Sequence, residues 1–177
     1  MRRRSELEDA LHRVLDVLDE YADDLILIGG WVPHIHLTHG RPAVEDARTS
    51  LTTEADLLVP ARMLRGDRRS IAEVLRAAGF TSRAEGVVWF REPAKGGEKI
   101  EFLKVLKGPA TRRGSPGPVP DQPELRALAL DHLQVMEEFN ETVLIPRPHS
   151  GAQRAVRVPT LWRVCCEQGE HVSSARW

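Results

Sequence analysis

Apolar residues recur at helical spacing through Leu7, Leu11, Val14, Leu15 and Leu18. Ser5-Glu6-Leu7-Glu8 has the form of a capping box, so the pattern predicts a first helix from Ser5 to about Tyr21. Asp23-Asp24 ends it. Leu25 to Ile28 is then a continuous apolar run of strand length, and Gly29-Gly30 stops it. A short helix follows from Trp31 or Pro33 to about Gly40, and residues 41 to 52 are polar and turn-like. Ala55 to Val59 reads as a strand closed by Pro60. Ile71, Val74, Leu75 and Ala78 give a helical face, with Asp67 as the expected N-cap and Gly79 as its end. Phe80 to Ser82 can start a strand. Val87 to Phe90 and Lys99 to Leu106 read as a hairpin around the turn at Pro93 to Gly97.

Beyond that the pattern loosens. Residues 108 to 123 are rich in Pro, Gly, Ser and Arg, and read as a mobile loop or lid. Leu125 to Leu130 reads as one or two helical turns. Leu133 to Met136, Thr142 to Ile145 and Ala155 to Val158 read as short strands. After Thr160 the composition shifts abruptly: both cysteines and two of the four tryptophans lie there without a clear period. The expected organisation is a core over 1–107, a Pro/Gly-rich loop over 108–123, and remaining strands with an atypical tail over 124–177, as a truncated or frame-shifted end would leave. The fold class is mixed α+β, a central mixed sheet flanked by helices.

Hydrophobic residues make up 41% and charged residues 29% of the 177, an ordinary globular balance. The formal net charge of -1 gives no global attraction to nucleic acid. Adjacent Cys165 and Cys166 form neither a disulfide framework nor a metal-ligand spacing. No apolar run has membrane-spanning length, and Glu6, Glu8 and Asp9 interrupt the basic N-terminus, so a cytoplasmic location is expected.

The chemistry concentrates in three places. Glu54 and Asp56 stand at i and i+2, on one face of the expected strand, where two carboxylates can ligate divalent metal. Gly29-Gly30, between a strand and a helix, can present backbone amides to phosphate. Glu101, on a later strand, can complete the ligand set or orient an acceptor hydroxyl. All four lysines (Lys95, Lys99, Lys104 and Lys107) lie near Glu101, either as a solvated face or as phosphate-neutralising groups. His34, His36 and His39 scatter around a short helix, as packing or surface histidines do. Trp31 reads as a packing residue.

Leu27-Ile28-Gly29-Gly30-Trp31 with Thr53-Glu54-Ala55-Asp56-Leu57-Leu58-Val59 and the later Glu101 resembles the DNA polymerase β-like nucleotidyltransferases, most closely the AbiEii-type toxins and related prokaryotic proteins. The resemblance spans residues 5 to 107. It implies a nucleotidyltransferase-type sheet, Mg²⁺ or Mn²⁺ on Glu54, Asp56 and Glu101, and a nucleoside triphosphate held by Gly29, Gly30, Thr53 and Lys104. It implies NMP transfer to a hydroxyl of RNA, protein or a small molecule, and a cognate antitoxin as partner. Glu54 stands where the family usually has aspartate, and Trp31 where many members have serine. The alternative expectation is therefore a catalytically silent module of the same fold that binds a nucleotide or a protein.

Overall fold

The computed structural model describes residues 4–40, 51–91, 97–108, 113–148 and 150–160. The chain order is α1 (Arg4–Val17), a 3-10 turn (Asp19–Tyr21), β1 (Ile26–Ile28), α2 (Trp31–His39), β2 (Glu54–Leu58), α3 (Ile71–Ala77), β3 (Thr81–Arg83), a second 3-10 turn (Ala84–Gly86) and β4 (Val88–Phe90). Then come β5 (Lys99–Val105), β6 (Pro116–Val119), β7 (Gln122–Leu130), α4 (Leu133–Glu138), β8 (Asn140–Pro146) and β9 (Gln153–Pro159). The class is mixed α+β, as expected. The described strands join in one open nine-stranded sheet, ordered β3-β4-β5-β2-β1-β9-β8, with β7 beside β5 and β6 beyond β7.

β1 runs antiparallel to β2, and β2 runs parallel to β5, so the centre of the sheet is mixed. β5 is shared: its first half pairs with β4 and its second half with β7. Side-chain alternation splits the sheet into two faces. Leu27, Ala55, Leu57, Ile100 and Phe102 enter a large core with Leu11 and Val14 of α1, Trp31 and Ile35 of α2, and Ile71 and Leu75 of α3. Ile26, Ile28, Leu58 and Leu103 form a smaller core on the other face under Leu133 of α4. Only one end of that second face is covered by a helix among the described residues, and the acidic positions of β2 and β5 lie toward the other end.

Several elements differ from the sequence expectation. α1 already contains Ser5, and the Glu8 carboxylate is engaged by Arg4 at 3.0 Å and His34 at 3.2 Å, so Ser5-Glu8 does not act as the expected capping box. The helix stops at Val17, and a 3-10 turn carries the chain to Tyr21. A capping box does occur at α3, where Ser70 is the N-cap in place of Asp67 and Glu73 returns the bond. Residues 116–119 and 122–130, read as loop and helical turn, are strands β6 and β7. Leu133 to Met136, read as a strand, lies in α4. β7, β8 and β9 belong to the same sheet as the first 107 residues, so the core extends past the boundary drawn there. The expectations for residues 41–50, 92–96 and 161–177, the turn and the tail among them, lie outside the described residues. No helix among the described residues is long and apolar enough to cross a membrane.

Candidate metal centre

The site begins with the register of three strands. Ile28 of β1 faces Asp56 of β2, and Asp56 faces Glu101 of β5. Two residues back along both parallel strands, Glu54 faces Lys99. Because residues two apart on a strand share a face, Glu54, Asp56, Lys99 and Glu101 project together from the second face of the sheet. One carboxylate oxygen from each of Glu54, Asp56 and Glu101 lies within 4.8 Å of the others, so the three can hold a metal ion. Their oxygen-only chemistry suits a hard divalent cation.

Gly29 explains how Asp56 reaches this position. It adopts φ +72°, and a Cβ built on it would overlap the Asp56 Oδ2 atom. Glycine is therefore required twice, for the left-handed backbone and for the space taken by the carboxylate. Gly30 is the N-cap of α2, next to the Thr52 side chain. Thr52 donates its hydroxyl to the Glu54 carbonyl at 2.9 Å, and the buried Trp31 indole donates to the same carbonyl at 3.0 Å. The start of β2 is thus pinned to the N-terminus of α2, and the glycine turn is held beside the acidic cluster.

The charges inside the cluster are unequal. Burial, with Glu54 and Glu101 alongside, pushes the Asp56 carboxyl up to about 6. Burial alone would raise Glu54 as well, but hydrogen bonds with Lys99 and Glu101 outweigh it and hold that carboxyl below its ordinary value. Glu101 is raised by burial and by its hydrogen bond with Glu54, against the pull of Lys99. The Lys99 ammonium bonds Glu54 and reaches Glu101 at 3.3 Å. Three carboxylates against one ammonium leave the site strongly acidic.

The sequence-marked residues divide cleanly. Glu54, Asp56 and Glu101 converge, and Gly29 and Gly30 border them. Thr53 takes part through its backbone, its carbonyl accepting from the Lys99 amide at 3.2 Å, while the neighbouring Thr52 supplies the side-chain contact. Lys104 does not join the site. It is three residues from Glu101, so strand alternation sends it to the opposite face, where its ammonium donates to the Pro118 carbonyl at 2.9 Å. There it lines a separate cleft of about 490 Å³ walled by β6 and the ends of β2 and β5. The lysine that enters the site is Lys99, and parity with Glu101 was the sequence signal that separated it from Lys104. His34 is buried, edge-on to Trp31 at 5.7 Å, and His36 meets the Pro159 carbonyl at 2.8 Å, so both serve packing. Searches against protein-family models, curated proteins and solved structures find no match to this chain.

Proposed function

We propose that this chain is a divalent-metal-dependent nucleotidyltransferase, transferring NMP from a nucleoside triphosphate to a hydroxyl of RNA, protein or a small molecule. The observation that carries the reading is the convergence of Glu54, Asp56 and Glu101 within 4.8 Å on an open sheet face beside Gly29-Gly30. Glu54, Asp56 and Glu101 would hold Mg²⁺ or Mn²⁺, and the cradle left by the missing Cβ of Gly29 fits that assignment. Bound there, the metal supplies charge neutralisation for the triphosphate and for the acceptor oxygen. The Gly29-Gly30 turn leads into the nine-residue helix α2, whose N-terminal amides favour phosphate oxygens. Glu101, beside the other two carboxylates, would orient the acceptor hydroxyl and take its proton. In the overall reaction the acceptor oxygen bonds to the α-phosphorus, the bond to the β,γ-diphosphate breaks, pyrophosphate leaves, and the hydroxyl proton passes to a carboxylate and then to water. A toxin-type role with a cognate antitoxin accompanies this reading through the family resemblance, as does a cytoplasmic location.

One observation favours a second reading. Lys99 already pairs with Glu54 and Glu101, as expected of a silent module that binds a nucleotide or protein partner without turnover. The two separate in one assay, with each α-labelled NTP, Mg²⁺ or Mn²⁺, and total RNA or protein as acceptor. Transfer that falls at least about a hundredfold in Asp56→Asn is the expected result, since one metal ligand and its charge are lost. Label that persists in the variant removes Asp56 from the chemistry. Metal-dependent nucleotide binding without transfer favours the silent module.

A further inference from the structure

We propose that Lys99 is a displaceable counter-ion that yields its carboxylates to the metal and then contacts the phosphates of the substrate. This rests on the metal-site reading above and adds a role for a residue which that reading leaves unused.

The strand register sets the argument. Lys99 sits across from Glu54 and two residues before Glu101, so its side chain is confined to the acidic face. Its ammonium is held by Glu54 and Glu101, two of the three carboxylates that form the candidate metal centre. An ammonium and a metal ion seeking the same oxygens compete. The lysine can give way, because its side chain is 29% exposed and ends in a flexible four-carbon stem. Where it can go is also defined. β1 runs antiparallel to β2 with Ile28 level with Asp56, and the glycine turn that follows lies against β2, Gly29 beside Asp56 and Gly30 beside Thr52. The Trp31 indole on the Glu54 carbonyl fixes that proximity. The turn at the end of β1, Glu54 of β2 and Lys99 of β5 therefore lie in a row, spanning about 10 Å at the usual strand spacing. A triphosphate lying on the turn is within reach of a lysine at the other end of that row. A lysine freed from carboxylates would meet phosphate there, a charge it binds as a point cation.

The test uses the full chain at pH 8 with Mn²⁺ alone and then Mn²⁺ with inorganic tripolyphosphate, followed by calorimetry or Mn²⁺ electron paramagnetic resonance. Lys99→Met is expected to bind Mn²⁺ at least about tenfold more tightly than wild type, because a competing charge beside the site is gone. The same variant is expected to bind tripolyphosphate in saturating Mn²⁺ about tenfold more weakly, and Lys99→Arg is expected to stay near wild type in that second measurement. Unchanged or weaker Mn²⁺ binding in a folded Lys99→Met protein overturns the displacement, and unchanged tripolyphosphate affinity overturns the hand-over. If Lys99→Met does not fold, wild type itself supplies the readout. With its lysines reductively ¹³C-methylated, the chain has only four to resolve, and Mg²⁺ should shift the Lys99 signal selectively. A Lys99 signal indifferent to saturating Mg²⁺ overturns the proposal. Failure of the underlying reading looks different: neither wild type nor Lys99→Met binds Mn²⁺, or Asp56→Asn leaves that binding intact.

Discussion

Gly29 shows how one missing Cβ joins backbone conformation to site chemistry. Its φ of +72° is a conformation that L-residues adopt at a cost, and the Asp56 carboxylate occupies the space an added methyl would need. Gly29→Ala is therefore expected to destabilise the fold by about 1–3 kcal/mol, combining left-handed strain with steric displacement of Asp56. It should also weaken Mn²⁺ binding, because Asp56 is the carboxylate that must move. Urea unfolding and Mn²⁺ titration on the same preparation check both outcomes. A stable variant with unaltered Mn²⁺ affinity would show that the turn and the cluster are independent. At this scale the sequence was informative where spacing alone decides the face, as for Glu54, Asp56 and Glu101. It was less so for Thr53 and Lys104. Thr53, expected to help hold a nucleotide, is engaged through its carbonyl, and the adjacent Thr52 hydroxyl bonds the Glu54 carbonyl. Lys104 is near Glu101 in the chain, but an odd separation on a strand reverses the face.

Between elements, the most informative contact is Glu98, a buried carboxylate just before β5. It accepts from Arg13 of α1 at 2.6 Å and from Arg91, just after β4, at 3.2 Å. Arg91 in turn lies over the Phe80 ring and donates to the Ala78 carbonyl at 3.3 Å, so one carboxylate ties α1 and the end of α3 to the β4–β5 hairpin. Burial alone would raise the Glu98 carboxyl, but the two arginines outweigh it and lower it to about 2. A carboxyl depressed on folding contributes stability above its unfolded pKa of about 4.3 and loses it as pH falls toward 2. Glu98→Gln is therefore expected to cost about 2 kcal/mol at pH 7 and almost nothing at pH 2. Urea midpoints at the two pH values measure this, and an equal loss at both would assign the effect to packing. The misread elements share a physical cause. From Glu124 on, β7 is built of Leu, Ala, Glu and Arg, all good helix formers, yet Leu125, Ala127 and Ala129 are buried with strand period. Pairing with β6 over its first part and with β5 over its last three residues overrides propensity there. β6 was hidden by its prolines. The Ser115 carbonyl accepts from the Ala129 amide, so alternation turns Gly117 toward β7 and the nitrogens of Pro116 and Pro118 outward, where no donor is needed.

For the whole molecule, the question is how much chain the site requires. The motifs all fall within residues 5 to 107, which made that stretch look self-sufficient. The sheet shows otherwise, because β9 lies beside β1 and β7 lies beside the second half of β5. Ending the chain at 107 removes Val143, Ile145, Val156 and Val158 from the large core, and Leu133 of α4 from the small one beneath it. It also removes Arg157, whose guanidinium donates to the Asp23 and Asp24 carbonyls at 2.9 and 3.1 Å and holds the start of β1. At about 1.5–3 kcal/mol for each large buried apolar side chain, these losses approach or exceed the 5–15 kcal/mol by which a domain is usually stable. β1 would become an unprotected edge, and it is the strand that delivers Gly29 to Asp56. A chain of residues 1–107 is therefore expected to show no cooperative thermal unfolding and no Mn²⁺ binding, whereas residues 1–160 should retain both. Calorimetry of the two chains, with Mn²⁺ titration of whichever folds, decides the matter. A cooperative 1–107 fragment that binds Mn²⁺ would return the later strands to the status of an appendage.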